Sequence, residues 1–213
     1  LQLCKNRRLL VERVARSRID SLAAKNQGVA IEVCGYPYSD IVSILECAGR
    51  CTEPPLILLL DSLNDPHNVG SLLRTAEVVG AHGVVLPLRH TAAITPAVVS
   101  VSSGASEHML VARANLVHTI DTLKNENILV FCVALSQEAE LPNEVTLSGA
   151  LALVVGSEVR GIRALVLSSC DVLMRLPMLG RIVSLNAAIA VSISLFLVWQ
   201  TRLYIGAEHH LRH

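Results

Sequence analysis

The chain has 213 residues, which is enough for one domain with a sizeable core, or for one domain and a fragment of another. Hydrophobic residues make up 52% of it and aromatic residues only 3%, which excludes a largely disordered chain and predicts a core of Val, Leu, Ile and Ala, as in parallel sheets. Its 18 basic and 18 acidic side chains cancel, which argues against a uniformly basic nucleic-acid-binding domain.

Basic residues concentrate at the start of the chain. Up to residue 25 they are Lys5, Arg7, Arg8, Arg13, Arg16, Arg18 and Lys25. Only Glu12 and Asp20 oppose these seven, so the segment carries a net charge of +5 and the remainder carries −5. Two interpretations are open: an arm that contacts phosphates, or the solvated face of a helix. A β-like run at residues 27–33 follows and is typical of the end of a larger unit.

The six cysteines predict an intracellular protein without a metal site. They are Cys4, Cys34, Cys47, Cys51, Cys132 and Cys170. No two of them form a Cys-x-x-Cys pair, and their apolar surroundings predict reduced thiols in the core of a cytosolic protein. The N-terminus also lacks the layout of a signal peptide. We therefore expect a cytoplasmic location, or an organellar matrix in a eukaryote.

Strand-like and helix-like segments alternate along the rest of the chain. A short helix is predicted over residues 39–48, before a proline-containing break at residues 52–55. Strands are then predicted over residues 56–60, 83–86, 128–133, 150–155 and 172–175, and helices over residues 69–79, 96–103, 163–168 and 185–204. This alternation predicts an α/β fold, in which helices flank a parallel sheet with right-handed crossovers.

The apolar stretch at residues 182–199 is about as long as a minimal membrane-spanning helix. Ser184, Asn186, Ser192 and Ser194 interrupt it, no second stretch accompanies it, and no basic cluster flanks it closely. A helix buried between two subunits is therefore predicted instead. Residues 185–199 are apolar around too much of the circumference for a surface helix, which predicts a homodimer.

The first of three polar motifs has the pattern Asn-x-Gly-x-x-x-Arg, at Asn68, Gly70 and Arg74. It follows a strand and a predicted turn at Asp65-Pro66, and Asn68 or a neighbour can cap the helix. Gly70 is predicted to let the backbone approach a ligand, with Arg74 on the same helical face, pointing towards the strand end. Ligands of open α/β sheets bind there, although Arg74 considered alone is an ordinary surface arginine.

The second motif has the pattern Gly-x-Glu-x-x-Gly, at Gly156, Glu158 and Gly161. A buried strand runs into this loop, whose glycines can place backbone donors and acceptors around a small ligand. Taken alone the pattern is weak, because many α/β proteins have a glycine-containing turn after a strand. Its interpretation as a ligand site depends on the other two motifs.

The third motif, Pro-Met-x-Gly-x-x-x-Ser-Leu-Asn, occupies residues 177–186. Its proline and glycine predict a shaped loop that ends at a helix start, with Ser184 as the cap. In isolation Ser184 and Asn186 could form a structural capping network. No Gly-x-Gly-x-x-Gly loop, P-loop, zinc spacing or nucleophile elbow is present, which argues against an ordinary Rossmann site.

In this order the three motifs resemble those of the SpoU/TrmH branch of the SPOUT RNA 2′-O-methyltransferases. The resemblance spans residues 56–204. It implies a SPOUT methyltransferase domain over residues 54–206, with a parallel sheet, flanking helices and a C-terminal trefoil knot. It also implies that residues 1–45 are a linker and the C-terminal remnant of a small α/β RNA-binding domain, which residues 25–29 in particular resemble.

The resemblance implies methyl transfer from S-adenosyl-L-methionine to a ribose 2′-hydroxyl of RNA, without a metal. The implied cofactor-binding residues are Gly156, Glu158, Gly161, Leu176, Met178 and Leu185. The implied catalytic residues are Arg74, Asn68, Glu158, Ser184 and Asn186. The family often assigns proton removal to the arginine, but a guanidinium with a pKa above about 12 is a poor base. Arg74 is therefore a candidate for binding the phosphate and orienting or electrostatically activating the hydroxyl.

The run from Asp65 to Asn68 looks most like the enzymes that methylate a guanosine of large-subunit rRNA, and tRNA is the alternative substrate. A homodimer through the C-terminal helix and knot is implied as well.

Two other classes of protein remain as alternatives. A knotted RNA-binding protein without catalysis is disfavoured by the retained Arg74, Glu158 and Asn186. The other alternative is a small membrane-associated protein built around residues 182–199. Cell fractionation distinguishes it from the enzyme, since the enzyme should stay soluble without detergent.

Overall fold

The computed structural model describes residues 2–22, 26–157, 160–181 and 184–207. The chain divides into two compact units, Leu1–Gly35 and Tyr36–His213. In the first unit, α1 covers Gln2–Asn6 and α2 covers Arg16–Leu22. The described basic side chains of this unit are all exposed, while Lys25 lies outside the described residues. Their exposure is compatible with either a phosphate-contacting arm or a solvated face.

The β-like run at residues 27–33 forms no strand. Val29, Ile31 and Val33 are 71%, 77% and 74% exposed, and none of the strands in the described residues pairs with this segment. A β-strand is stable only through its hydrogen-bonded ladder with a neighbour, so an apolar pattern without a partner is not sufficient. The prediction of β structure here is wrong.

The second unit contains a six-stranded sheet in which neighbouring strands are parallel. The strands are β1 (Leu56–Leu60), β2 (Gly83–Pro87), β3 (Val111–Ala114), β4 (Leu129–Val133), β5 (Leu151–Val155) and β6 (Val172–Met174). Their order in the sheet is β3-β2-β1-β5-β4-β6. β1 and β5 are buried along their whole lengths, as expected for uninterrupted apolar strands covered on both faces. The predicted parallel α/β sheet is confirmed.

Helices cover both faces of the sheet. They are α3 (Ile41–Arg50), α4 (Pro66–Val78), α5 (Pro96–Val101), α6 (Leu116–Asn125), α7 (Ala164–Ser169) and α8 (Ala187–Thr201), with a 3₁₀ turn at Ala105–Glu107. Successive β1 side chains point to opposite faces, so Leu58 packs with α4, α5 and α8, and Leu59 packs with α3, α6 and α7. The core therefore has two layers, one on each face of the sheet. The loops at the carboxyl ends of the strands lie outside these layers and can form a ligand site.

Of the elements in this unit, the sequence patterns missed β3 and α6, and the ends of the other elements lie within three residues of the prediction. β3 has only four residues, and Arg113 interrupts its apolar pattern. α6 carries recognisable signals, because the Asn115 side chain caps it by accepting hydrogen bonds from Val117 N and His118 N. Its buried positions, Leu116, Thr119, Ile120 and Leu123, also repeat at helical spacing. These signals could have identified α6.

Two predictions are wrong, one about the role of Gly70 and one about the cap of the last helix. Gly70 leaves no room for a ligand, because it lies inside α4 and a Cβ there would come within 2.7 Å of the Val101 side chain. Its missing side chain instead lets α4 pack closely against α5. The last helix is capped by Asn186 rather than Ser184, since Asn186 Oδ1 accepts a hydrogen bond from Ile189 N at 3.2 Å.

Cys132 and Cys170 are joined by a disulfide, so the expectation of reduced cysteines is wrong for this pair. Cys132 lies on β4, and Cys170 lies two residues before β6, which pairs with β4. Sheet pairing thus brings together two residues that are 38 positions apart, a separation that no local spacing reveals. The remaining cysteines, Cys4, Cys34, Cys47 and Cys51, are free. The cytosolic location is inferred from reduced cysteines, and Cys132 and Cys170 do not support that inference.

The last helix, α8, is apolar on all sides. Val191, Leu195 and Val198 are buried in the core, whereas Ile193 and Phe196 on the outer side are 41% and 43% exposed. Within the described residues, no helix is both long enough and apolar enough to cross a membrane. A helix that is apolar on all sides is normally covered on all sides.

Arg202 follows α8 and ties the end of this helix to the amino-terminal edge of the sheet. Its Nη1 donates to the carbonyl of Pro54 at 2.7 Å, and its Nη2 donates to those of Pro55 at 3.0 Å and Gly149 at 2.6 Å. Pro55 precedes β1 and Gly149 lies close before β5, so one guanidinium holds the starts of both central strands. Burial lowers the pKa of Arg202 below its usual value.

We expect Arg202→Met to lower the free energy of unfolding by about 2–4 kcal/mol, because three backbone carbonyls lose their charged donor. Urea unfolding followed by circular dichroism measures this change. Arg50→Met is the matched control, since the exposed Arg50 contacts Glu46 on the same helix, through an ion pair and a hydrogen bond to its carbonyl, and should matter little. Equal unfolding midpoints for the two variants would contradict the anchoring role of Arg202.

Candidate functional site

A pocket of about 340 Å³ lies at the carboxyl ends of β4, β5 and β6. Ligands in open α/β sheets bind in this position. The predicted cofactor residues that lie within the described part of the chain all line it, and so does one predicted catalytic residue. These are Gly156, Gly161, Leu176, Met178, Leu185 and Ser184. The remaining cofactor residue, Glu158, lies outside the described residues.

The floor of the pocket is a tight turn after β5. Gly161 N donates to Ser157 O at 2.8 Å, and Ser157 Oγ accepts from Arg160 N at 3.0 Å. This turn folds back over Gly156 so closely that a Cβ there would overlap the backbone of Gly161 and Ile162. Gly161 has a φ of +66°, in the left-handed region that favours glycine. Both glycines of the second motif are therefore required by the shape of the turn.

The chain leaving β6 supplies an apolar wall. Leu176 is buried, and Met178 and Leu185 are each 39% exposed. The start of this segment is fixed, because Arg175 donates from its backbone N to Glu140 O at 2.9 Å and from Nε to Ala139 O at 3.0 Å. The pocket thus combines a backbone-lined floor with aliphatic and thioether surfaces, which suits a small ligand with both polar and flat apolar parts.

Asn68 and Asn186 meet at the starts of two helices. Asn186 Nδ2 donates to Asn68 Oδ1 at 3.2 Å, while Asn186 Oδ1 caps α8. α4 is capped by Asp65, whose side chain accepts from His67 N at 2.9 Å, so the cap is a residue near Asn68 rather than Asn68 itself. The amide pair joins the first and third motifs, although neither amide lines the pocket.

Arg74 lies in α4, exposed, and its Nη1 donates to Ser103 Oγ at 3.1 Å. It is not among the residues that line the pocket of its own chain. Arg74 therefore lies outside the pocket within one chain. The neighbouring Thr75 contacts the last helix, since its Oγ1 lies 2.9 Å from Ser192 Oγ of α8.

A buried carboxylate that the sequence patterns did not single out holds the second motif in place. Asp61 follows β1 and is fully buried. Its Oδ2 accepts from Arg163 N at 2.8 Å, and its Oδ1 accepts from Arg163 Nε at 2.7 Å. Asp61 N also donates to Val155 O at 2.6 Å, at the end of the neighbouring β5. An aspartate directly after an apolar strand was the available signal, because a buried carboxylate needs a charged partner.

Comparison with known proteins agrees with this architecture. The model of the SpoU rRNA Methylase family matches residues 55–196. The TrmH family tRNA/rRNA methyltransferase YacO of Bacillus subtilis is 38% identical over 208 residues, covering 97% of this chain and 83% of YacO. A TrmH family tRNA/rRNA methyltransferase of Staphylococcus aureus is 38% identical over 209 residues, covering 97% of this chain and 84% of the relative.

Two solved structures of RNA methyltransferases are also similar to this chain. A TrmH family RNA methyltransferase of Porphyromonas gingivalis is 34% identical with a TM-score of 0.62, covering 69% of this chain and 62% of that one. An AdoMet-bound rRNA methyltransferase of Sinorhizobium meliloti is 27% identical with a TM-score of 0.65, covering 77% and 61% respectively. The match thus spans less than two thirds of each solved chain. Because the family model covers most of this chain and YacO matches nearly all of it, the chain belongs to the SpoU rRNA Methylase family.

Proposed function

We propose that this protein binds S-adenosyl-L-methionine in the pocket at the ends of β4, β5 and β6 and methylates a ribose 2′-hydroxyl of RNA. The observation that carries the proposal is that residues from two separate motifs of a SpoU family chain line one pocket. The related Sinorhizobium meliloti rRNA methyltransferase has AdoMet bound, and the other relatives described above carry RNA methyltransferase names. The pocket and the family therefore support the same activity.

The residues of the pocket fit this cofactor. Gly156 and Gly161 leave backbone groups open to a ligand, where a side chain at position 156 would collide with the turn. Leu176, Met178 and Leu185 offer apolar contact to an adenine ring and a methionine arm. When bound, S-adenosyl-L-methionine supplies an electrophilic methyl group on a sulfonium.

The residues of this chain must orient the ribose hydroxyl and stabilise the charge that develops on it as its proton leaves. Ser184 lines the pocket and offers a hydroxyl there, and the amide pair of Asn68 and Asn186 lies at the ends of α4 and α8. A guanidinium is a poor base, so we propose that Arg74 binds phosphate and polarises the hydroxyl rather than removing the proton. Glu158 is proposed to complete the polar site.

A homodimer is part of this proposal. α8 and the turn after it present Ile189, Ile193, Phe196 and Tyr204 at 41–54% exposure, and three of these line a shallow apolar groove. Contiguous apolar surface of this kind marks an interface. We propose that a second copy of the chain covers it. Arg74 is exposed on α4, whose Thr75 contacts α8, and it lies outside its own pocket. We further propose that it serves the pocket of the partner subunit.

We expect sedimentation velocity to show a stable dimer at micromolar concentration. Phe196→Glu should shift it towards monomer, because a charge would be buried at the interface without a partner. Val42→Glu is the matched control, since Val42 is a 57% exposed apolar residue on α3 and should leave the dimer intact. A monomeric parent protein, or equal dissociation of both variants, would refute the α8 interface.

For the substrate we propose large-subunit rRNA with a guanosine as the methylated nucleotide, and tRNA as the alternative. The names of the curated relatives include both tRNA and rRNA, so they support an RNA target without choosing between the two. The deciding experiment incubates purified protein and labelled cofactor with total RNA that lacks its own modifications, and then maps the methylated nucleotide. Cofactor and RNA binding without transfer would identify a catalytically silent RNA-binding protein instead.

The finer architecture is also proposed. We infer a trefoil knot in the C-terminal half, since the segment after β6 returns to the ends of β4 and β5 before α8 packs with α4. We also propose that residues 1–45 are a linker and the end of an RNA-binding domain. The exposed basic side chains of the first unit support this role, because they can contact phosphates.

A further inference from the structure

A second cavity, here called the Arg89–Arg163 cleft, lies beside the cofactor pocket. It has a volume of about 700 Å³ and is formed by residues 87–90 after β2, residues 114–117 at the start of α6, and residues 163–166 at the start of α7. It therefore lies at the same carboxyl-terminal edge of the sheet as the pocket. None of the three sequence motifs includes a residue that lines it.

The cleft lining is largely apolar, and the charged or titratable side chains among its residues are all basic. Arg89 and His90 are exposed on the loop after β2, and Arg163 is 48% exposed on the opposite side. Among the described residues no carboxylate lines the cleft, and the nearby Asp61 is fully buried and bonded to Arg163. A concave cationic surface of this kind attracts an anion such as a phosphodiester.

Both sides of the cleft are held in place before any ligand binds. Arg163 is fixed through its backbone N and its Nε by Asp61, which leaves the two terminal amino groups of the guanidinium without a hydrogen bond within the described residues. The loop carrying Arg89 is held by Arg113, whose Nη2 donates to Leu88 O at 2.6 Å. Arg113 is itself placed by stacking on Tyr38, with the guanidinium carbon 5.4 Å from the ring centroid. A preorganised guanidinium binds phosphate with little loss of entropy.

The cleft and the cofactor pocket share one stretch of chain. Gly161 and Ile162 line the pocket, and the next two residues, Arg163 and Ala164, line the cleft. The cleft therefore offers a path beside the pocket for an RNA strand whose ribose lies there, with Arg163 and Arg89 placed to meet its phosphates. Contacts to phosphates fix the register of a nucleic acid on a protein without reading its sequence.

We propose that the Arg89–Arg163 cleft binds the phosphodiester backbone of the substrate RNA next to the methylated nucleotide. The inference rests on the proposed function, which it extends from the cofactor pocket to the path of the RNA. Arg163 and Arg89 contact phosphates, and Arg113 is a positioning residue for the loop that carries Arg89. The exposed side chains of Leu88 and Leu165 flank the path and cover the apolar face of a nucleotide.

The test measures the affinity of the full chain for a short, fluorescein-labelled single-stranded RNA by anisotropy over a range of salt concentrations. Arg89→Gln is the principal variant, because Arg89 is exposed and its replacement leaves the Asp61–Arg163 contacts intact. We expect about tenfold weaker binding at low salt, the scale of one charged hydrogen bond. The slope of log K against log salt should fall by about 0.7 for each phosphate that the variant no longer neutralises. The double variant Arg89→Gln, Arg163→Gln should show a larger decrease on both measures.

Arg50→Gln is the charge-matched control, since it removes a positive charge at the end of α3, and it should bind RNA like the parent protein. Affinity for S-adenosyl-L-methionine, measured on the same preparations by calorimetry, should be unchanged in Arg89→Gln. If both cleft variants bind RNA with the affinity and salt slope of the parent protein, the cleft is not an RNA-binding site. The proposed function still stands in that case, provided that the parent protein methylates RNA. A parent protein that neither binds the cofactor nor methylates RNA would instead overturn the proposed function, and with it the cleft.

Discussion

An Arg74→Ala variant is expected to lose methyl transfer by about a hundredfold or more, the scale of removing a positioned electrostatic or acid–base group. Its affinity for S-adenosyl-L-methionine should stay within a few-fold of normal, because the proposed partner of Arg74 is the RNA substrate rather than the cofactor. Arg74→Lys should restore little, since one ammonium group cannot reproduce the planar fork of a guanidinium.

Single-turnover methylation and calorimetry for the cofactor, on the same preparations, measure both halves of this prediction. Arg50→Ala is the control, because it removes an exposed arginine that pairs only with Glu46. Retained transfer in Arg74→Ala would remove Arg74 from the catalytic residues. Lost cofactor binding would show instead that Arg74 belongs to the cofactor site.

A Gly156→Ala variant is expected to lose cofactor binding by about a hundredfold or more, which also removes methyl transfer. The added Cβ would overlap the backbone of Gly161 and Ile162, so the turn that forms the pocket floor has to move. Backbone displacement in a packed interior also costs about 1–3 kcal/mol of stability. Calorimetry for S-adenosyl-L-methionine measures the binding, and circular dichroism shows whether the fold is kept.

The matched control is Gly49→Ala, since a Cβ at this position meets no atom within 4 Å and alanine favours the helix in which it lies. If Gly156→Ala retains its fold and binds the cofactor normally, the pocket is not the cofactor site. If the variant is too unstable to assay, Ser157→Ala loosens the same turn without a collision, because it removes only the hydrogen bond from Arg160 N to Ser157 Oγ. A weaker cofactor affinity is then expected.

The two variants together test whether Arg74 acts across the subunit interface. In a mixed dimer of one Arg74→Ala subunit and one Gly156→Ala subunit, the intact pocket belongs to the subunit that lacks Arg74. If Arg74 serves the partner's pocket, that pocket receives an arginine and about half of the normal activity returns. If Arg74 acts within its own chain, both pockets are defective and the mixed dimer is inactive.

Local patterns in the sequence were sufficient for most of the sheet. The apolar runs of β1 and β5 predict buried parallel strands because a strand covered on both faces has no polar side to expose. The glycines of the second motif could also be recognised, since a turn that folds back on itself excludes side chains at fixed positions. β3 was missed because Arg113 lies within it, and its pairing with β2 depends on contacts distant in sequence.

By itself, the sequence determined the α/β class, the parallel sheet and the segments that line the proposed cofactor pocket, because these depend on apolar periodicity and on glycines within single stretches of chain. Only the tertiary structure decided which residues meet: the disulfide of Cys132 and Cys170, the contacts of Asp61 with Arg163, and the position of Arg74 outside its own pocket. It also showed that Gly70 serves helix packing rather than ligand binding. The physical reason is that strand order brings together residues many positions apart, and no local pattern encodes that order.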